Sequence, residues 1–137
     1  MGLDNGFVVR SQHRKITRDM LPTNLKYPYD KDYGEDIEII YWRKNWGLRN
    51  AVLDLLGSRI NDENEYEYLM ETPSQVFDVM QVILSFMDKE KWETEGQSIW
   101  EYDEILPILK RDIINLAIMA AFMQENPDVF LVFYDSY

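Results

Sequence analysis

The chain has 137 residues, 46% apolar and 28% charged, with 14 basic and 25 acidic side chains for a net charge of −11. One domain of this size buries enough surface to hold a core, and the composition is that of a folded globular protein. Cysteine is absent and His13 is the only histidine, which excludes disulfides, thiolate metal sites, a Cys nucleophile, a Ser-His-Asp triad and an all-His metal site.

Charge is unevenly spread. Residues 1–26 carry five basic and two acidic side chains, residues 60–137 four basic and seventeen acidic. An acidic body repels phosphate and anionic lipid, so neither direct nucleic-acid binding nor membrane binding is expected. No apolar run approaches the ~20 residues of a membrane span and the start lacks a signal-peptide pattern, so the sequence reads as cytoplasmic.

In chain order, residues 2–10 read as a strand with Leu3, Phe7 and Val9 on one parity and Asp4, Val8 and Arg10 on the other, its start weakened by Gly2 and Gly6. Residues 11–35, with Pro22 and Pro28, read as a long loop with room for a short helix near Ile16–Met20. Residues 36–42 read as a second strand, with Ile37, Ile39 and Tyr41 on one face and Glu38, Ile40 and Trp42 on a less buried one. Leu48, Ala51, Val52, Leu55 and Leu56 recur at helical spacing and predict an amphipathic helix ending at Gly57. Residues 60–72 read as an acidic loop holding a short extended piece.

Thr72, Pro73 and Gln75 then form a capping box. It opens a helix whose apolar face is Val76, Val79, Met80, Ile83 and Met87, widened by Phe77 and Leu84. Polar residues 90–97 separate it from a third helix over 99–124, opened by Ser98 and Glu101 and interrupted by Pro107. Asn126 and Pro127 end that helix, and residues 129–134 read as a last strand. The sum is one α+β domain over 1–137. It has a small three-stranded, mostly antiparallel sheet with about three helices on one face, in the order β-β-α-α-α-β.

Met1-Gly2-Leu3-Asp4 at the start, Tyr41-Trp42-Arg43-Lys44 entering a helix, and the closing Phe130-Leu131-Val132-Phe133-Tyr134 together resemble a family of small uncharacterised proteins from bacteriophages and bacterial mobile elements. The resemblance implies the same element order along the chain and a phage origin, and no activity. That family continues its Tyr-Trp-Arg-Lys segment with a stretch containing a His. Here Asn45-Trp46-Gly47-Leu48-Arg49-Asn50 stands instead, so no His role carries over.

The densest constellation of binding-prone residues is Trp42, Arg43, Lys44, Trp46 and Arg49 at the strand-to-helix junction. Trp and Arg dominate interface hot spots, and a basic helix N-terminus suits an anion. The structural counter-reading makes Tyr41 and Trp42 core aromatics and pairs Arg43 with Asp4 across the sheet corner. A second candidate is Glu63, Glu65, Tyr66, Glu67 and Tyr68. Carboxylates spaced along an extended segment imitate a phosphate backbone, and the rings supply stacking surfaces.

The oxygen-rich runs at Asp4–Asn5 and at residues 30–36 lack EF-hand spacing, and no phosphate-cradling glycine motif is present. No catalytic residue, cofactor or metal is therefore expected. The function these features suggest is a non-enzymatic, acidic, phage-encoded protein that binds and inhibits a host protein by nucleic-acid-like charge. The alternative is a small-molecule or nucleotide site at the Tyr41–Arg49 corner. The apolar run 113–123 exceeds what one sheet face covers, which leaves two readings: a homodimer, or a third helix sandwiched between the sheet and the second helix.

Overall fold

The computed structural model describes residues 3–30, 32, 36–57, 60, 61 and 64–136, with backbone alone at 60, 61, 64 and 65. Phe7, Val8 and Val9 give β1 (Asp4–Ser11) its strand propensity, and β-branched and aromatic residues fill most of β5 (Val129–Ser136); the two pair antiparallel over their whole length. β2 (Ile37–Arg43) flanks β1, while β4 (Asn64–Met70) flanks β5 and carries the two-residue β3 (Ile60–Asn61) at the far edge. The order is β2-β1-β5-β4-β3, antiparallel throughout. Four α-helices are described: α1 (Trp46–Leu56), α2 (Pro73–Ser85), α3 (Lys89–Glu95) and α4 (Tyr102–Glu125). A 3₁₀ turn spans Arg18–Met20.

The class is α+β, as expected, but the three-stranded, three-helix arrangement is overturned by a sheet of four full strands plus β3, and by a fourth helix. The extra strand, β4, comes from the segment read as an acidic loop. Carboxylates are poor strand formers, yet here the Glu67 side chain meets Arg10 across the sheet, which removes the penalty. The extra helix, α3, buries only Trp92, so it shows no apolar stripe. It starts where the Asp88 side chain accepts the Lys91 N–H at 2.9 Å. The Thr72–Gln75 capping box of α2 forms as expected. α4 is opened by Glu101 and Glu104 rather than Ser98 and Glu101, and it runs unbroken past Pro107.

The helices pack on one face of the sheet. Phe7, Val9, Ile40, Trp42, Met70, Leu131 and Phe133 meet Leu48 and Val52 of α1, Val76, Val79 and Ile83 of α2, and Leu109, Leu116 and Met119 of α4 in one core. Phe77 and Leu84, expected to widen α2's buried face, are instead 50% and 48% exposed. The run 113–123 is divided: Leu116, Met119, Ala120 and Met123 are buried while Ile114 is 55% exposed. No described helix is long and apolar enough to cross a membrane.

The long loop after β1 is fastened under this layer. Ile16, Leu21 and Leu25 join the core. The buried Asn115 amide accepts the Lys26 N–H at 3.0 Å and donates to the carbonyls of Lys26 and Ile39 at 2.7 and 3.0 Å. Those bonds also satisfy part of the outer edge of β2.

One irregularity decides what faces the other side. β2 carries an extra residue where Phe7 pairs Ile40 but Val8 pairs Glu38, leaving Ile39 unpaired. This bulge shifts the alternation by one. Ile40 and Trp42, expected on the less buried face, are fully buried with Ile37, whereas Tyr41 turns outward with Glu38 and is only half-buried.

Candidate functional site

The strand-to-helix corner is mostly structural. Trp42 is fully buried and donates its indole N–H to the Asp112 carboxylate at 2.9 Å. Burial pushes the Asp112 carboxyl up to about 6, against the opposing effects of the Trp42 and Arg111 contacts. Lys44 adopts φ 50° and donates its N–H to the Leu3 carbonyl at 2.7 Å, which turns the chain into α1. Arg49 grips Asp135 with two bonds, at 3.0 and 2.7 Å, and the buried Asp135 also accepts from Asn5 at 2.7 Å. This network ties α1 to the centre of the sheet. Trp46 keeps 41% of its surface exposed, with the Arg49 guanidinium 5.5 Å from its ring centre.

The expected Asp4–Arg43 pair does not form. The two residues are opposite one another in register, but Asp4 accepts the Tyr41 hydroxyl at 2.5 Å, and Arg43 at the strand end is exposed. A half-buried phenol needs an acceptor more than an exposed guanidinium does.

The acidic segment is split by the pleat of β4. Tyr68 lies on the core side, its ring 6.5 Å from that of Phe133, and Tyr66 is 52% exposed. Glu67 points to the opposite face and binds Arg10 at 2.8 and 2.6 Å. The Glu63 and Glu65 side chains lie outside the described residues. A single row of charges and stacking rings is therefore not what this strand presents over residues 66–68.

The face opposite the helices holds the densest chemistry. Its floor is Val8 and Val132, 4% and 0% exposed. Arg10 spans this face, binding Asp36 at 2.9 and 2.8 Å as well as Glu67. The charge-assisted bonds to Asp36, and then those to Glu67, raise the Arg10 pKa.

Beside this bridge lies a pocket of about 400 Å³, lined by Tyr29, Tyr41 and Tyr134 with Asp4, Asp32, Asp36 and Glu38. Gly6 explains the space. It stands opposite Tyr41 on one side and Tyr134 on the other. A Cβ there would lie 2.6 Å from both the Ile40 carbonyl oxygen and the Tyr134 ring. The missing side chain lets the Tyr134 ring lie close over the strand. There its hydroxyl donates to Glu38, 3.1 and 3.0 Å from the two carboxylate oxygens.

Burial pushes the Glu38 carboxyl up to about 7; the Tyr134 bond opposes the rise, and Asp4 and Asp36 add to it. Burial and the adjoining carboxylates raise the Tyr134 and Tyr41 phenols, keeping both as neutral donors. A larger hollow, about 460 Å³, lies beside Trp92 and Trp100 where α3 meets α4. Its Lys89, Glu93, Glu101 and Asp103 are solvent-exposed, so it offers charge without a built cluster.

No protein-family model, curated protein or solved structure matches this chain. Its chemistry is therefore read from the pocket alone. Among the described residues no group of three or more Asp, Glu or His side chains could hold a metal ion. Carboxylates interleaved with phenol rings suit a compact organic cation, which gains both charge pairing and contact with ring faces.

Sequence reading named Tyr41 and Asp4 for other roles and missed Glu38, Tyr134, Tyr29 and Asp36 as a group. The available signal was the spacing of Asp36 and Glu38 before an aromatic run. Tyr134 lies 96 residues from Glu38, and only the β1–β5 pairing brings it there.

Proposed function

We propose that the chain is a non-enzymatic interaction protein, phage-encoded and working in the host cytoplasm, that captures a lysine or arginine side chain of a host protein on its open sheet face. The observation that carries this reading is the tyrosine-walled acidic pocket of about 400 Å³. Its volume is at the small end of ligand sites, suited to one extended cationic side chain. The net charge of −11 steers a basic partner toward the protein and disfavours nucleic acid. The phage origin rests on the resemblance of the terminal and junction segments. Glu67 is held by Arg10, so charge mimicry is better supported by the pocket's carboxylates than by β4.

The test is capture from bacterial lysate at about 0.15 M salt, comparing the wild-type chain with Asp4→Asn/Glu38→Gln. The expected result is one stoichiometric partner, retained by wild type, lost from the variant and competed off by millimolar Nα-acetylarginine amide. Equal capture by both chains, or capture unaffected by that competitor, would sink the reading.

The nucleotide alternative has one residue in its favour, Tyr41, which lines the pocket. Four carboxylates there repel phosphate. A thermal shift with nucleotides that disappears in Tyr41→Phe would favour it.

A further inference from the structure

Glu38 and Asp4 differ from the other carboxylates around the pocket in forming no ion pair with a described cation. Asp36 and Glu67 share Arg10, and Asp32 pairs with Arg18 at 2.8 Å. Asp4 takes the Tyr41 hydroxyl. Glu38 is half-buried, forms no ion pair with any described cation, and is held by a neutral phenol. We propose that Glu38 is a proton gate for this pocket, admitting a cationic side chain when ionised and resisting one when protonated. This rests on the reading of the pocket as a cation receptor and adds its regulation.

The surroundings on every packed element set the gate. From β1, Asp4 adds negative charge, and Arg10 is already committed to two carboxylates. From the chain entering β2, Asp36 adds a second negative charge; Tyr41 on β2 stays neutral and bonds Asp4. From β4, Glu67 faces Arg10, and from β5 Tyr134 covers Glu38 itself. Tyr29 and Asp32 of the long loop close the remaining wall.

Burial and two like charges oppose ionisation, and one hydrogen bond favours it, so the carboxyl titrates at about 7. An entering guanidinium supplies the missing counter-charge. It must therefore lower the pKa of Glu38, and by the same linkage ionisation must tighten its binding. His13, the only histidine of the sequence, is exposed beyond the end of β1.

The experiment uses the full chain in a His13→Gln background. The carboxyl carbon of Glu38 is titrated by NMR, assigned through Glu38→Gln. Binding of Nα-acetylarginine amide, and of the neutral Nα-acetylcitrulline amide, is measured from pH 6 to pH 8. The expected Glu38 midpoint is near 7, moved down by saturating arginine amide and up by Tyr134→Phe, which deletes the bond to the ionised form. Arginine-amide affinity should rise up to about tenfold between pH 6 and pH 8, the ratio of ionised fractions for one such group. Citrulline amide should not bind, and Glu38→Gln should fold and bind weakly with no pH dependence.

A Glu38 midpoint below pH 5, or wild-type binding that does not change with pH, overturns the gate and leaves the cation pocket standing. Failure of arginine amide to bind at any pH overturns both. Should Tyr134→Phe unfold, the midpoint shift caused by arginine amide in the wild-type chain decides the question by itself.

Discussion

The two faces of the sheet handle charged side chains in contrasting ways. On the helix-covered face, Asp112 and Asp135 are 0% and 4% exposed, and each is held by designated donors, Trp42 and Arg111 for one, Asn5 and Arg49 for the other. On the open face, Arg10 and Asp36 keep 28% and 40% of their side-chain surface in water while forming bonds just as short. The difference teaches that hydrogen-bond length alone does not rank these networks. What ranks them is how much water can replace a lost partner, since an uncompensated charge is costly only where it is buried. The open face can therefore keep a carboxylate without a counter-ion, which a binding surface needs and a core does not tolerate.

The contrast can be broken most severely at the covered face. Trp42→Ala removes a fully buried ring and the indole donor of Asp112, and should cost about 3–5 kcal/mol in a denaturant melt. A loss near 1 kcal/mol would mean the corner is not packed as described. The next test compares the two networks: Arg49→Ala strands the buried Asp135 and should cost about 3 kcal/mol, whereas Asp36→Ala removes a water-exposed partner, leaves Arg10 bound to Glu67 and should cost under about 1 kcal/mol. Equal losses would erase the distinction between the faces.

Proton linkage sharpens it further. The folded chain holds the Asp112 proton up to about pH 6, while an unfolded carboxyl releases it near the ordinary 3.8. Between these values the folded state binds more protons, so this group makes stability fall as pH rises through the window. Asp112→Asn should remove that component and gain about 2 kcal/mol at pH 7 relative to pH 4. Stability measured across pH 4–7 in both chains checks this, and parallel curves would refute it. The smallest effect belongs to Arg43→Ala, which should change stability by under about 0.5 kcal/mol and add independently to Asp4→Ala. A coupling above about 1 kcal/mol in the double-mutant cycle would restore the ion pair that the Tyr41 hydroxyl displaces.

The local features of the fold were legible where neighbours in sequence carry the physics. The Thr72–Gln75 box, the Leu48–Leu56 stripe and the strand character of residues 129–134 all stand, because capping and periodicity act over a few residues. β4 was hidden because its charges find partners on another strand. α3 was hidden because seven residues with one buried ring make no stripe. Of the candidate site, Asp4 and Tyr41 were singled out, but for an ion pair with Arg43 and for the core.

By itself the sequence determined the class, the helix caps, most element positions and the acidic character of the surface. These follow from backbone propensity, side-chain period and charge, which each segment carries wherever it is placed. Only the tertiary structure decided which face each side chain of β2 uses, because the bulge at Ile39 exists only against β1. It alone also placed Tyr134 over Gly6 and against Glu38, since the pairing of the first strand with the last joins residues that no local interaction brings together.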